Sequence, residues 1–142
     1  MIRIGIDISS GEKSPHDLFL SLKEYSQENP DDSLVVYIDQ ENLDTHSHFF
    51  SSSPQIEIVP AIEKITMEEN PVKGIKRKKN SSIVLGLTHL KEKKIDLFFS
   101  PGNSGAVVYG VAQILGLIKS IQFPVIATFI PNIYGNVILL DA

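Results

Sequence analysis

The residues best suited to chemistry lie in one short loop that runs from Ser100 to Gly105. Gly102 and Gly105 let the backbone approach a ligand closely, and Asn103 and Ser104 add side-chain donors. If this loop joins a strand to the start of a helix, its free N–H groups and the helix dipole favour an anion. It is not a Walker loop, because no Gly-Lys-Ser/Thr sequence follows. It is not a dinucleotide-binding loop either, because the spacing of its glycines is wrong. The pattern predicts a phosphate or anion site, with a plain strand-to-helix turn as the alternative.

A basic cluster is the second candidate. Five cations lie within seven positions: Lys73, Lys76, Arg77, Lys78 and Lys79. On a helix, Lys73, Lys76, Arg77 and Asn80 would share a face. Such clusters bind phosphate, nucleic acid or acidic proteins, although a solvated helix face is the commoner explanation. Nucleic acid is disfavoured, because no aromatic stacking platform accompanies the cluster.

Asp7 is the third candidate, since it ends an apolar run at the N-terminus and precedes a Ser-Ser-Gly turn. A carboxylate at the carboxyl end of a strand can bind a ligand or hold a lysine, or it can cap the following turn. The four histidines are scattered, and His46 and His48 share no ligand set with the acids, so no metal is expected. The chain has no cysteine, which excludes a disulfide framework and a thiolate site. No Ser-His-Asp arrangement follows from the spacing, and we expect no cofactor.

Strand and helix patterns alternate along the chain. Strands are predicted at 2–8, 34–38, 56–59, 95–99, 125–130 and from 137 onwards. Helices are predicted after Ser14, at 39–50, after Asn70, after Ser81 or Ser82, and at 106–115. Such alternation predicts a three-layer α/β sandwich of the Rossmann-like kind, with a mostly parallel sheet and helices on both faces.

Length and charge set further bounds. The 142 residues fit one domain, residues 1–142, and 42% of them are apolar. Residues 1–70 contain 14 acids and 4 bases, whereas residues 71–142 contain 3 acids and 9 bases. The basic half suits an anionic ligand or an acidic partner, unless the two halves simply interleave on the surface. No apolar run reaches the length of a membrane span, and no signal-peptide pattern opens the chain, so a cytoplasmic location is expected.

Three segments together resemble a known family. The first is 65–71 with 76–82, which reads Ile-Thr-Met-Glu-Glu-Asn-Pro and then Lys-Arg-Lys-Lys-Asn-Ser-Ser. The second is 99–106, Phe-Ser-Pro-Gly-Asn-Ser-Gly-Ala, and the third is 124–131, Pro-Val-Ile-Ala-Thr-Phe-Ile-Pro. In order and spacing they resemble the phosphate acyltransferases of bacterial phospholipid synthesis, over essentially the whole chain.

The sequence also departs from that family. The family opens with Asp-Ala-Met-Gly-Gly-Asp, whereas this chain reads Asp-Ile-Ser-Ser-Gly-Glu from Asp7 to Glu12. Ser10 would clash there if its backbone needed a positive φ. Family members are more than twice as long, and the final strand runs to the last residue, so we expect the sheet to be incomplete at its C-terminus. The resemblance then suggests the N-terminal half of a longer fold.

The resemblance implies transfer of a fatty acyl group from acyl carrier protein to inorganic phosphate, giving an acyl phosphate. It assigns catalysis to three residues: Asn103, Ser104 and Lys79. It assigns phosphate or acyl binding to Asp7, Gly11, Arg77, Lys78, Ser81, Ser100, Gly102 and Gly105. It also implies acyl carrier protein as a partner, a homodimer with 106–118 as a candidate surface, and peripheral membrane association through a segment absent here.

Two other functions remain open at this point. One is a truncated or degenerate module that binds phosphate or carrier protein without turnover, which the altered opening signature favours. The other is an enzyme similar to a phosphotransacetylase, which would use coenzyme A thioesters. Acyl phosphate formation by this chain would separate an active acyltransferase from the non-catalytic module, and the thioester donor would separate the phosphotransacetylase-like enzyme from the acyltransferase.

Overall fold

The computed structural model describes residues 1–11, 14–50 and 54–140, with the backbone alone for residues 47–50. The elements follow in the order β1 (Arg3–Asp7), α1 (Pro15–Glu28), β2 (Ser33–Ile38), α2 (Gln40–Phe50), β3 (Ile56–Pro60), α3 (Pro71–Arg77), α4 (Ser82–Lys91), β4 (Leu97–Phe99) and α5 (Ser104–Gly110). A π-helical turn, Val111–Leu115, extends α5, and β5 (Ala127–Asn132) and β6 (Gly135–Leu140) complete the chain. Glu12, from the opening signature, lies outside the described residues.

The first four strands form one parallel sheet in the order β3-β2-β1-β4. Alternate residues of each strand point to opposite faces. One face, which includes Ile6 and Val36, packs against α1 and α2. The other face, which includes Val35 and Tyr37, packs against α4, and α5 lies against the same helix. The predicted α/β architecture, with helices on both faces of a parallel sheet, is confirmed.

Helix starts follow local capping chemistry. The Ser14 hydroxyl accepts a hydrogen bond from the His16 N–H, and the Asn70 side chain accepts one from the Lys73 N–H at 3.0 Å. A proline follows each of these caps, and its fixed φ suits the first helical position. Ser81, rather than Ser82, precedes α4, although its side chain makes no capping bond.

The last two strands differ from the simplest expectation, in which they would join the main sheet. They pair with each other as an antiparallel hairpin, so that Ala127 lies opposite Leu140 and Asn132 opposite Gly135. Every residue of both strands is exposed. Gly135 has a φ of 130°, which other residues rarely adopt, and this conformation lets the tight turn close.

Candidate functional site

The carboxyl ends of β1 and β4 lie side by side, although the chain reaches β4 only after β2 and β3. The connection after β1 leads to α1 on one face of the sheet, and the connection after β4 leads to α5 on the other. In open α/β sheets this change of direction leaves a crevice at the carboxyl ends of the strands, where ligands bind. Asp7 and Ser100 stand at the two ends that border the crevice.

The Asp7 carboxylate joins the loops that follow β1 and β4. It is fully buried. Its Oδ1 accepts hydrogen bonds from the N–H groups of Ser9 and Ser10 at 3.0 and 3.2 Å, and its Oδ2 accepts one from the Ser100 hydroxyl at 2.8 Å. The Ser100 oxygen in turn accepts the Gly102 N–H at 3.2 Å. Asp7 therefore holds both loops in place, and the direct ligand contact expected from the sequence stays a prediction.

Ser10 connects the loop after β1 to the start of α4. Its hydroxyl lies 2.9 Å from that of Ser82, the first residue of α4, and both side chains are buried. Ser10 does not adopt a positive φ, so the backbone clash considered from the sequence does not arise. The β1 loop is consequently fastened to the start of α4 as well as to the β4 loop.

Ser9 fastens the same loop to β2. Its hydroxyl accepts the Asp39 N–H at 2.8 Å. Burial acts to raise the pKa of Asp39, but hydrogen bonds donated by the Asn42 backbone and side chain, at 3.0 and 2.7 Å, hold that pKa below its usual value. Asp39 is thus a charged N-terminal cap of α2 at the edge of the crevice.

Glycine allows the loops to pack against each other and against α3. A Cβ on Gly102 would lie 2.5 Å from the Ser10 Cβ, and one on Gly11 would lie 2.8 Å from the Pro101 ring. A Cβ on Gly105 would lie 2.8 Å from the Pro71 ring, at the start of α3. These glycines are therefore required for close approach of chain segments, whether or not a ligand binds.

Asn103 uses its whole side chain within the protein. Its Oδ1 accepts the Ala106 N–H at 3.0 Å and so caps α5. Its Nδ2 donates to the carbonyl oxygens of Thr66, Met67 and Glu69 at 3.1–3.3 Å. These contacts give Asn103 a positioning role, because they hold the segment before α3 against the loop 100–105, the phosphate-loop candidate. A direct catalytic contact stays a prediction.

Ser104 and Gly105 are the exposed part of the loop. They form the first turn of α5, where N–H groups have no intrahelical acceptor. The Asn103 side chain already accepts a hydrogen bond from the Ala106 N–H, and the Ser100 hydroxyl oxygen accepts one from the Gly102 N–H. Of the N–H groups predicted to face phosphate, those of Ser104 and Gly105 are consequently the most suitable.

The basic cluster is arranged differently from the helical face that its spacing suggested. α3 ends at Arg77, and the chain then turns, so Asn80 lies outside the helix and does not share its face. Lys78 forms an ion pair with Glu69 at 2.6 Å and also donates to the Lys64 carbonyl oxygen. Lys79 donates to the Ile75 carbonyl oxygen at 3.2 Å. Within the part of the chain that the structure describes, Lys78 is the one member of the cluster in an ion pair, and Arg77 and Lys79 stay exposed.

Ser81 was predicted to bind phosphate, but the structure places it away from solvent. It is fully buried, and its hydroxyl donates to the Lys78 carbonyl oxygen at 2.9 Å. This bond closes the turn between α3 and α4. Ser81 thus supports the position of the basic cluster, and direct binding stays a prediction.

The ion pair between Lys78 and Glu69 predicts a local response to acid. The Lys78 ammonium group, with the Thr66 N–H, holds the pKa of Glu69 below its usual 4.5. Because the folded-state pKa is lowered, the stabilisation is present above pH 4.5 and is lost as the pH falls through the folded-state value. We expect the Thr66 amide NMR signal to move in that range, and to stop moving there in Glu69→Gln. A titration of Thr66 that persists in Glu69→Gln would contradict this assignment.

Neither a metal centre nor a membrane span is visible in the described ranges. No three His, Asp or Glu side chains converge there in a way that could hold a metal ion. None of the helices in those ranges is long and apolar enough to cross a bilayer.

It was not predicted from the sequence that Ser9, Ser10 and Ser82 hold the loop after β1 in place through hydrogen bonds. A local signal was present for two of them, because serines two and three positions after an aspartate often close an Asx turn. Nothing local indicates that Ser10 and Ser82, separated by 72 positions, share a hydrogen bond.

The fold and the site together define a Rossmann-like α/β protein with a candidate anion-binding crevice at the switch point of its sheet. The chain belongs to the family described as fatty acid synthesis protein, because the sequence model of that family matches residues 2–142. It is 40% identical over 141 residues to the phosphate acyltransferase of Caldicellulosiruptor bescii. It is also 34% identical over 142 residues to that of Halothermothrix orenii, and 34% identical over 139 residues to that of Brevibacillus brevis.

These matches cover nearly all of this chain but less than half of each relative. The shares are 99% of this chain and 42% of the relative for the first two, and 97% and 41% for the third. The chain therefore spans about two-fifths of the length of the curated relatives it matches, in agreement with the predicted N-terminal half.

Proposed function

We propose that this chain carries the phosphate-binding part of a phosphate acyltransferase, which forms an acyl phosphate from a fatty acyl thioester of acyl carrier protein and inorganic phosphate. The observation that supports this most directly is the meeting of three separate segments. Ser100 bonds to Asp7 at 2.8 Å, Ser10 to Ser82 at 2.9 Å, and Asn103 to the segment 66–69. Two of the three segments that resemble the family, 65–71 with 76–82 and 99–106, thus converge with the loop after β1 at one edge of the sheet.

Phosphate would bind at the exposed first turn of α5. The N–H groups of Ser104 and Gly105 and the Ser104 hydroxyl are suitable donors there. The exposed cations Arg77 and Lys79 would offset the charge. Arg77 ends α3 and Lys79 lies two positions beyond it, and α3 packs against α5. Lys78 contributes less, because Glu69 already neutralises it.

The reaction requires no covalent enzyme intermediate. An oxygen of bound hydrogen phosphate attacks the thioester carbonyl carbon, and the carbonyl oxygen takes up negative charge. The carbon–sulfur bond then breaks, so that an acyl phosphate forms and the leaving thiolate takes a proton to become a thiol. The protein would contribute positioning and stabilisation of the developing oxyanion.

The proposed partner is an acidic carrier protein, for which the exposed cations of the basic cluster are suitable. A homodimer and a peripheral association with membranes are further proposals that rest on the resemblance. For the homodimer, only part of the 106–118 surface is available, because Ala106 and Gly110 are buried.

The test combines a binding and a turnover measurement on the 142-residue chain. Inorganic phosphate should shift the amide NMR signals of Ser104 and Gly105 in a saturable way. Arg77→Ala with Lys79→Ala should weaken this binding about three- to tenfold, from the loss of two exposed charge interactions. Lys91→Ala, an exposed lysine at the far end of α4, is the matched control and should leave the affinity unchanged.

Turnover is measured by trapping acyl phosphate from an acyl carrier protein thioester and phosphate. Saturable phosphate binding without any acyl phosphate would favour the non-catalytic module, which the engaged Asn103 side chain also favours. Turnover of coenzyme A thioesters in preference to carrier-protein thioesters would favour the phosphotransacetylase-like alternative. A phosphate affinity that is the same with and without the substitutions Arg77→Ala and Lys79→Ala would contradict the proposed site.

A further inference from the structure

A large apolar cleft begins at the exposed end of the phosphate-loop candidate. Its volume is about 700 Å³, within the roughly 300–1,000 Å³ range of small-molecule sites. Ser104 and Gly105 belong to its lining, so it shares residues with the proposed phosphate site. A ligand that fills the cleft would therefore end beside the proposed phosphate position.

The chemistry of the lining indicates an uncharged ligand. The side from α5 and its π-helical extension includes Val108 and Ala112, and the other side includes Leu117, Phe123 and Ile126. Among the residues that the structure describes, none of those that line the cleft is charged. The cations of the basic cluster lie outside the cleft, so the lining is suited to a hydrocarbon chain and the neighbouring surface to an anion.

The backbone explains how the cleft forms. The π-helical turn Val111–Leu115 widens the end of α5, and such turns occur often at functional sites. Gly116 follows with a φ of 89°, in the left-handed region that glycine tolerates best. The chain then changes direction, and residues from Leu117 to Ile126 supply the other wall.

We propose that this cleft binds the acyl chain of the fatty acyl substrate, with the reacting carbonyl group at Ser104 and Gly105. This inference rests on the proposed function and adds the place and the chemistry of the acyl-chain site. The continuity of the cleft with the phosphate loop and the uncharged lining favour a single alkyl chain over a second protein surface.

The test uses butyl and octyl phosphate as probes, below their aggregation concentrations, with amide NMR as the readout. Burial of a methylene group tightens binding by up to about fourfold, so octyl phosphate should bind at least tenfold more tightly than butyl phosphate. Ala112→Trp should remove this dependence on chain length. Leu117 lies on an exposed wall of the cleft, so Leu117→Ser should reduce the dependence of affinity on chain length without filling the cleft. This variant tests the proposal if Ala112→Trp does not fold.

Leu20→Trp is the matched control, because it adds the same aromatic group to α1 on the other face of the sheet. It should leave the preference for octyl phosphate unchanged. A preference that survives both Ala112→Trp and Leu117→Ser would overturn the proposal, as would a dimer in sedimentation that these substitutions dissociate. Octanol distinguishes the two proposals: if it shifts Ala112 while inorganic phosphate shifts nothing, the acyl cleft stands and the phosphate site fails.

Discussion

Replacement of Asp7 by alanine should destabilise the protein by about 2–5 kcal/mol. The buried carboxylate accepts from two backbone N–H groups and from the Ser100 hydroxyl. Alanine would leave the N–H groups of Ser9 and Ser10 without an acceptor, and each buried unsatisfied donor costs about 1–3 kcal/mol. Urea unfolding followed by circular dichroism measures the change in the free energy of unfolding.

Two further substitutions at acidic positions sharpen this prediction. Asp7→Asn keeps one acceptor oxygen for the serine N–H groups and should cost less than Asp7→Ala. Asp31→Ala removes an exposed carboxylate in the turn before β2 and should change stability by no more than about 0.5 kcal/mol. An equal effect of Asp7→Ala and Asp31→Ala would show that Asp7 does not hold the two loops together.

Gly102→Ala should separate the loops after β1 and β4, at a cost of about 1–3 kcal/mol in stability. The new Cβ would lie 2.5 Å from the Ser10 Cβ, and both atoms lie close to backbone that other contacts hold fixed. Because Ser104 and Gly105 lie two and three positions beyond Gly102, the affinity for inorganic phosphate should fall in the same variant. Urea unfolding and the phosphate titration measure the two effects.

Ser10→Gly provides the compensating change, since it removes the atom that the new methyl group would strike. Alone it should destabilise the protein, because the hydrogen bond to Ser82 is lost. The double variant Ser10→Gly with Gly102→Ala should therefore be more stable than the sum of the single changes, by about 0.5–3 kcal/mol. Strict additivity would mean that the two positions are not in contact.

Much of the fold is predictable from local patterns. The four strands of the parallel sheet coincide with short apolar runs, and Ser14 and Asn70 start helices where a capping residue precedes a proline. The end of α3 was not predictable in the same way. Its termination at Arg77 depends on Lys78 and Ser81, whose partners lie in the neighbouring turn and in the segment before the helix.

The sequence predicts where the site lies, but it does not predict which contacts its residues make. Asp7 and Ser100 are identifiable because Asp7 ends one apolar run and Ser100 directly follows another, and the parallel sheet brings the two together. The engagement of Asn103 with carbonyl groups 34–37 positions earlier depends on packing of α3 against α5. Sequence patterns indicate which groups can form hydrogen bonds, but the tertiary fold determines which of them are already used.

The exposed hairpin of β5 and β6 has a consequence for how phosphate behaves toward this protein in solution. Phe129 and Ile133 are 68% and 89% exposed, and in the part of the chain that the structure describes no further strand pairs with the outer edges of the two-stranded ribbon. Phosphate is a kosmotropic anion that is excluded from apolar surface, so high concentrations favour self-association of such a ribbon. Sulfate shares this property, and its effect on the ribbon should follow that of phosphate. We therefore expect two concentration regimes for phosphate: at low concentration it would act as the saturable ligand proposed for the first turn of α5, and at high concentration as a solvent component that favours burial of the apolar surface of the hairpin.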